Sequence, residues 1–237
     1  MNENITYIRH VGIMNENSPL SYENAPVITK EDYEVRIGEL LSAASQYSHL
    51  VIYADKEHFS NLEYVTGYDP RYEECILLLK KGEIPWLILG NEGMGQAQCV
   101  AIEHKKILFQ SLSPMGQPRG DSKALPEILA EYGISQESHV GLLGWKSFCE
   151  KEFEDYKHTY EAPSYIVKAI ESLASDVENA NWLMMDTDKG LRTVQDVKTL
   201  ILSEIASTKA SRKTWDFVKN IKEGMTEIEA SQVFNID

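Results

Sequence analysis

The sequence predicts an α/β fold, a mixed β-sheet with helices on both faces, and two observations carry the prediction. Apolar runs at 50–54, 75–79 and 85–89 lie close together and are separated by turn-forming residues, as strands that meet in hairpins are. Further on, short apolar runs alternate with segments of helical periodicity, so the later strands are interleaved with helices.

Each element has its own signal. Residues 5–13 read as a short strand or an extended arm, and 15–26 as loop. Thr29 opens a helix, with Asp32 three residues on as an imperfect capping box. Tyr33, Ile37, Leu40, Leu41 and Ala44 then recur at helical spacing, so one face packs on a sheet. Residues 50–54 are the first core strand. Residues 75–79 and 85–89 flank Lys80-Lys81-Gly82-Glu83, a hairpin signal, although Pro85 weakens the start of its strand. Residues 100–102 and 107–109 flank Glu103-His104-Lys105-Lys106 and are expected to form another antiparallel pair.

Residues 123–132 read as a helix closed by Gly133, and 139–143 as a short strand ending at Gly144. Residues 163–173 read as a helix with Ile166, Val167, Ile170 and Leu173 on one face, and 181–185 as a further short strand. From 194 to 221 the pattern is one long amphipathic helix, with Thr193 as N-cap and Gly224 as its stop. Val197, Leu200, Ile201 and Ile205 share a face of it, with Trp215 and Val218 further along. Thr226-Glu227-Ile228-Glu229 is a capping box for another helix, short enough to need a surface to pack on. The expected division is one domain over 1–190 and a helical segment over 191–237. No internal repeat or low-complexity tract interrupts it.

Composition narrows the function classes. At 237 residues, 43% apolar and 25% charged, the chain has an ordinary globular make-up. Its 23 basic and 37 acidic residues give a net charge of -14, which repels phosphate backbones and anionic membranes. Lys80-Lys81 and Lys105-Lys106 are isolated pairs, so neither nucleic acid nor a membrane is an expected partner. Cys75, Cys99 and Cys149 are odd in number and widely spaced, and Cys75 and Cys99 lie in apolar, strand-like runs. With no basic, apolar leader at Met1-Asn2-Glu3-Asn4, a soluble cytoplasmic protein is expected.

Between the first two core strands lies Asn61-Leu62-Glu63-Tyr64-Val65-Thr66-Gly67-Tyr68-Asp69-Pro70-Arg71-Tyr72-Glu73-Glu74. It reads as an aromatic, charged loop with turn formers at Asn61, Gly67, Asp69 and Pro70, either a binding loop or an ordinary surface connection. Arg71 could grip a substrate carboxylate or an interface acid through its guanidinium fork, or only answer Glu73 and Glu74. Tyr68 and Tyr72 could wall a small pocket or fill an interface, and Tyr64 reads as packing.

Asn61-x-x-Tyr64-x-Thr66-Gly67 before an apolar strand resembles the N-terminal domain of the creatinase, aminopeptidase P and prolidase family of metallopeptidases. Glu57-His58-Phe59-x-Asn61 and Asp69-Pro70-Arg71-Tyr72-Glu73-Glu74 are similar to its Xaa-Pro peptidase branch. A second segment, Leu191-Arg192 through the long helix to Glu223-Gly224-Met225-Thr226-Glu227-x-Glu229, is similar to the linker and first helices of the family's "pita-bread" catalytic domain. The resemblance spans nearly the whole chain and is weak between about 110 and 188.

It implies a ribonuclease-H-like creatinase/prolidase N-terminal domain over 1–190 and the start of a truncated catalytic domain over 191–237. It implies a role in substrate gating and oligomerisation, with Asn61, Tyr68, Arg71 and Tyr72 as substrate or interface residues and a homodimeric parent. The parent would be a hydrolase, an Xaa-Pro dipeptidase or aminopeptidase, cleaving short proline-containing peptides with two divalent ions, manganese or cobalt. Such ions, about 3.5–4 Å apart, activate a bridging water and polarise the scissile carbonyl. In the family their ligands, two aspartates, a histidine and two glutamates, all follow the Gly-x-Thr-Glu turn. This chain alone is therefore expected to hold no catalytic metal and to be inactive. The alternative is a non-catalytic protein-interaction module of the same descent, as in some histone-chaperone relatives.

Other chemistries find little support. Asp55, Glu57 and His58 have no chelating spacing, and His104, His139 and His158 stand alone without an i, i+4 partner. Asp186-Thr187-Asp188 reads as a polar cap. Gly90-Asn91-Glu92-Gly93-Met94-Gly95 follows a strand, but its glycine order is wrong for a dinucleotide loop and Glu92 would sit beside the phosphates, so a strand-exit turn is expected. An independent enzyme on such a sheet would need carboxylates clustered on adjacent strands, and the clear strands carry almost none.

Overall fold

The computed structural model describes residues 25–233; the expected arm over 5–13 and most of the loop over 15–26 lie outside them. The residues divide into two compact units, Ile28–Gln195 and a second that contains residues 25–27 and 196–233.

In the first unit the apolar run at 50–54 becomes β1 (His49–Ala54), in the middle of a sheet that has six strands among the described residues. It pairs antiparallel with β2 (Cys75–Leu79), which pairs antiparallel with β3 (Trp86–Leu89). The Lys80–Glu83 hairpin therefore forms as read, with Gly82 at a φ of 82° that favours glycine. On its other side β1 pairs parallel with β5 (His139–Leu143), and β5 pairs parallel with β6 (Asp176–Asn179). The edge beyond β3 is β4 (Lys105–Leu108), also parallel, so the order is β4-β3-β2-β1-β5-β6 and β2 alone runs against the rest.

Every residue of β1 and β2 is buried because helices cover both faces. Alternation sorts their side chains between two cores. Val51, Tyr53, Ile76 and Leu78 pack with α4 (Leu125–Glu131) and α5 (Ser164–Glu171), through Ile128, Leu129, Ile166 and Ile170. Leu50, Ile52, Leu77 and Leu79 pack with α1 (Lys30–Ala43), α2 (Ser60–Thr66) and α6 (Trp182–Met185), through Leu40, Leu62, Val65 and Met184. Truncating one of these leucines to alanine would cost about 2–5 kcal/mol. The α1 capping box is complete: Asp32 N–H donates to Thr29 Oγ1 (3.4 Å) and Thr29 N–H to Asp32 Oδ2 (2.7 Å).

Four expectations are corrected. Residues 100–102 form no strand: a 3-10 turn at Ala97–Cys99 carries the chain over from α3 (Gly93–Gln96), and β4 lies parallel to β3. Cys99 is exposed in that turn, whereas Cys75 is buried. Residues 181–185 are helix α6, and the strand of that region is the polar Asp176–Asn179 before it. The first half of the 61–74 loop is helix α2, closed by Gly67 at φ 71°.

In the second unit α7 (Val197–Asn220) is capped by Asp196, whose Oδ1 accepts from Thr199 N–H (2.8 Å). Thr193, the expected cap, instead donates its hydroxyl to Gly190 O (2.8 Å). Of the expected apolar face Ile205 is buried, whereas Val197, Leu200, Trp215 and Val218 are exposed. Helix α8 (Glu227–Val233) has the expected capping box, Glu229 N–H to Thr226 Oγ1 (3.2 Å) and Thr226 N–H to Glu229 Oε2 (2.8 Å). Among the described residues no helix is long and apolar enough to cross a membrane.

Candidate functional site

The four residues singled out in sequence separate into two kinds. Asn61, on the first turn of α2, is buried among four chain segments. Its amide nitrogen donates to Gly144 O (2.6 Å) and to the Asn181 side chain (2.7 Å), and its oxygen accepts from Arg192 Nη1 (2.8 Å). One amide thus ties the exits of β5 and β6 and the segment after α6 to α2, which makes Asn61 a positioning residue. Tyr68 is 3% exposed in the second core, and burial pushes its phenol above the ordinary range.

Arg71 and Tyr72 face solvent, Tyr72 at 63% exposure. Arg71 Nε donates to Asp69 Oδ2 (2.9 Å). Glu73 and Glu74, its expected partners, are engaged elsewhere. Glu73 is buried and accepts from the amides of Glu92 (3.0 Å) and Gly93 (2.8 Å) at the start of α3. The glycine-rich 90–95 segment is therefore a strand exit that winds into α3, and its amide cradle is filled by the protein's own carboxylate. A Cβ at Gly90 would overlap Glu73, so glycine is required there for the close approach.

Glu74 belongs to a cluster at the carboxyl end of β1, where open α/β sheets bind ligands. Tyr53 OH lies 2.7 Å from Glu74 Oε1 and 3.1 Å from Asp55 Oδ2, and Tyr165 OH donates to Glu74 Oε2 (2.9 Å). Tyr53 has one proton for two carboxylates, so it bridges them. Asp55 Oδ1 accepts from the amides of Glu57 and His58, 2.8 Å each, and faces His58 Nδ1 at 3.0 Å. Burial would raise the Asp55 carboxyl, but His58 and those amides hold it below its usual range. The His58 ring stacks on Trp145 at 3.7 Å. The half-exposed imidazole with an orienting carboxylate is a general-base arrangement, and among the described residues no hydroxyl or thiol nucleophile is bonded to it. In sequence Asp55, Glu57 and His58 showed no chelating spacing, and Glu57 and His58 entered only through the family motif. The pairing of a residue just past one strand with one just before the next was the missing signal.

His139 and His158 are not isolated in the fold. Both face Asp176 on β6, a strand whose single buried residue, Val177, hid it from an apolar-run reading. His104 Nδ1 faces Ile102 O at 2.8 Å. Asp186 caps its own turn, accepting from Asp188 and Lys189 amides at 3.0 Å each.

No family model matches the sequence, and no curated protein does. Solved structures do match the fold. An Xaa-Pro dipeptidase from Bacillus anthracis is 14% identical with a TM-score of 0.56, over 85% of this chain and 47% of that one. A prolidase from Thermococcus sibiricus is 13% identical with a TM-score of 0.57, over 86% and 48%. A prolidase from Pyrococcus horikoshii is 15% identical with a TM-score of 0.54, over 84% and 47%. The chain spans about half the length of these structures. At such identities the likeness establishes the fold: a mixed α/β sheet of the kind found in Xaa-Pro dipeptidases and prolidases.

Proposed function

We propose that this chain is the N-terminal, substrate-gating and self-associating domain of an Xaa-Pro dipeptidase- or aminopeptidase-like metallopeptidase. The observation that carries this reading is the fold likeness, in which most of this chain matches about half of an Xaa-Pro dipeptidase chain and of a prolidase chain. The motif resemblance at 61–74 and 223–229 supports the same assignment. Peptide-bond cleavage then falls to a metal-binding domain of the pita-bread kind, with manganese or cobalt as its ions and short proline-containing peptides as its substrates. Arg71 and Tyr72 have the exposure to meet a substrate carboxylate or a second copy, while Asn61 and Tyr68 hold the turn that presents them.

The test pairs sedimentation with an Xaa-Pro dipeptide assay in manganese. The expected result is a concentration-dependent dimer, weakened about tenfold or more by R71A/Y72A, and no proline release. Proline release by the purified chain, or a monomer at every concentration, overturns the assignment. The exposed apolar residues of α7, Leu200, Trp215 and Val218, favour a second reading, a non-catalytic protein-interaction module. Loss of a specific protein partner on L200S/V218S, with dimerisation intact, would select it.

A further inference from the structure

Three potential metal donors meet at the amino-terminal ends of β5 and β6, the end of the sheet opposite the Asp55–His58 cluster. His139 opens β5 in register with Asp176, the first residue of β6, and Glu178 follows two residues on, on the same face as Asp176. His139 Nε2 lies 3.3 Å from Asp176 Oδ2 and 3.6 Å from Glu178 Oε2, and the three donor atoms lie within 4.8 Å of one another. A tetrahedral ion with ligands at about 2.1 Å spaces its donors by about 3.4 Å, which these separations match.

The imidazole is the telling group. Nδ1 faces Gln46 O at 3.0 Å, a contact that places the ring proton there. Nε2 is shut off from solvent and closes no hydrogen bond among the described residues. Nε2 so oriented is turned toward two carboxylates, and a cation held between the three would be ligated by all of them. The surroundings hold the donors in place as metal ligands require. Tyr47 OH donates to Glu178 Oε2 (2.9 Å), and His158 Nε2 stands 3.6 Å from the other oxygen of Asp176 while its Nδ1 faces Asp155 Oδ1 (2.6 Å). Tyr47 and Glu178 also line a cleft of about 360 Å³ with Phe148, Tyr156 and Trp182, so one of the three donors borders open space.

We infer that His139, Asp176 and Glu178 bind one divalent cation of the zinc type, with a fourth position open to the cleft. One imidazole with two carboxylates suits zinc or cobalt better than calcium or magnesium, which take six or more oxygens. The inference does not rest on the proposed function.

Titration of the metal-free chain with Co2+, followed by displacement with Zn2+, tests it. The expected result is one equivalent of Co2+ with the visible absorption of a tetrahedral nitrogen–oxygen site, lost on adding Zn2+. H139Q and E178Q should each weaken binding about tenfold or more, and Y47F by less. Non-saturating uptake, thiolate-to-cobalt charge transfer reporting Cys99 or Cys149, or equal affinity in wild type and E178Q would overturn the site. Circular dichroism of each metal-free variant verifies folding, and if H139Q fails to fold, the near-isosteric E178Q alone decides.

Discussion

The carboxylate of Glu73, in the loop just before β2, accepts the amide of Gly93 at 2.8 Å and so caps α3. Its second oxygen takes the amide of Glu92 at 3.0 Å, and the glutamate is 7% exposed. Amides that an anion could otherwise occupy are therefore satisfied internally.

Removing that cap should be costly. E73A leaves two amides without partners, one of them buried, and each such loss costs about 1–3 kcal/mol, so a loss of roughly 3 kcal/mol in urea unfolding is expected. E73Q should cost less, since its carbonyl oxygen still accepts from one amide. A loss below about 0.5 kcal/mol for E73A would show that α3 is held by its apolar contacts instead.

Asn61 and Arg71 should respond oppositely to alanine. N61A strips partners from buried Gly144 O and from Arg192 and should cost about 2–4 kcal/mol. R71A breaks only an exposed pair with Asp69 and should stay within about 0.5 kcal/mol. Unfolding curves of the two variants decide it, and equal losses would remove Asn61 from its tying role.

Much of the fold follows from local signals, and the failures have a common cause. The Thr29–Asp32 box, the Lys80–Glu83 hairpin and β5 all carry their chemistry in adjacent residues. The strands misread, β4 and β6, are the two edges of the sheet. An edge strand is half wet, so Asp176–Asn179 keeps one buried apolar residue while the apolar Trp182–Met185, just after it, attracts the strand reading. The side-chain clusters were hidden for the same reason. His139 meets Asp176 only through the β5–β6 register, and Tyr53 meets Glu74 only because β1 and β2 are antiparallel. The 61–74 spacing drew notice to Asn61, but its burial against Gly144, Asn181 and Arg192 needed the closed fold.

His49 gives stability an acid-side slope. It is 4% exposed on β1, and burial, with Lys80 nearby, pushes its pKa from 6.5 down to about 4. The unfolded chain therefore binds a proton between those values that the folded chain refuses, so this contribution is present above pH 6.5 and lost as pH falls toward 4. The difference amounts to at most about 3 kcal/mol. Thermal melts of wild type and H49Q over pH 4–7 should converge on acidification, and parallel curves would show that His49 titrates normally.

Gly67 combines two separable constraints, and a double-mutant cycle can part them. Its φ of 71° penalises any L side chain by roughly 1–2 kcal/mol, whatever the space around it. A Cβ there would also lie 2.9 Å from the Tyr33 ring, which crosses over the turn from α1. G67A in the wild-type background should therefore cost about 2–4 kcal/mol, the two effects together. With Tyr33 shortened to alanine the overlap disappears and only the backbone penalty remains, so G67A should then cost about half as much. If the two backgrounds give the same loss in urea unfolding, the ring swings aside freely, and α1 does not fix the turn that carries Tyr68, Arg71 and Tyr72.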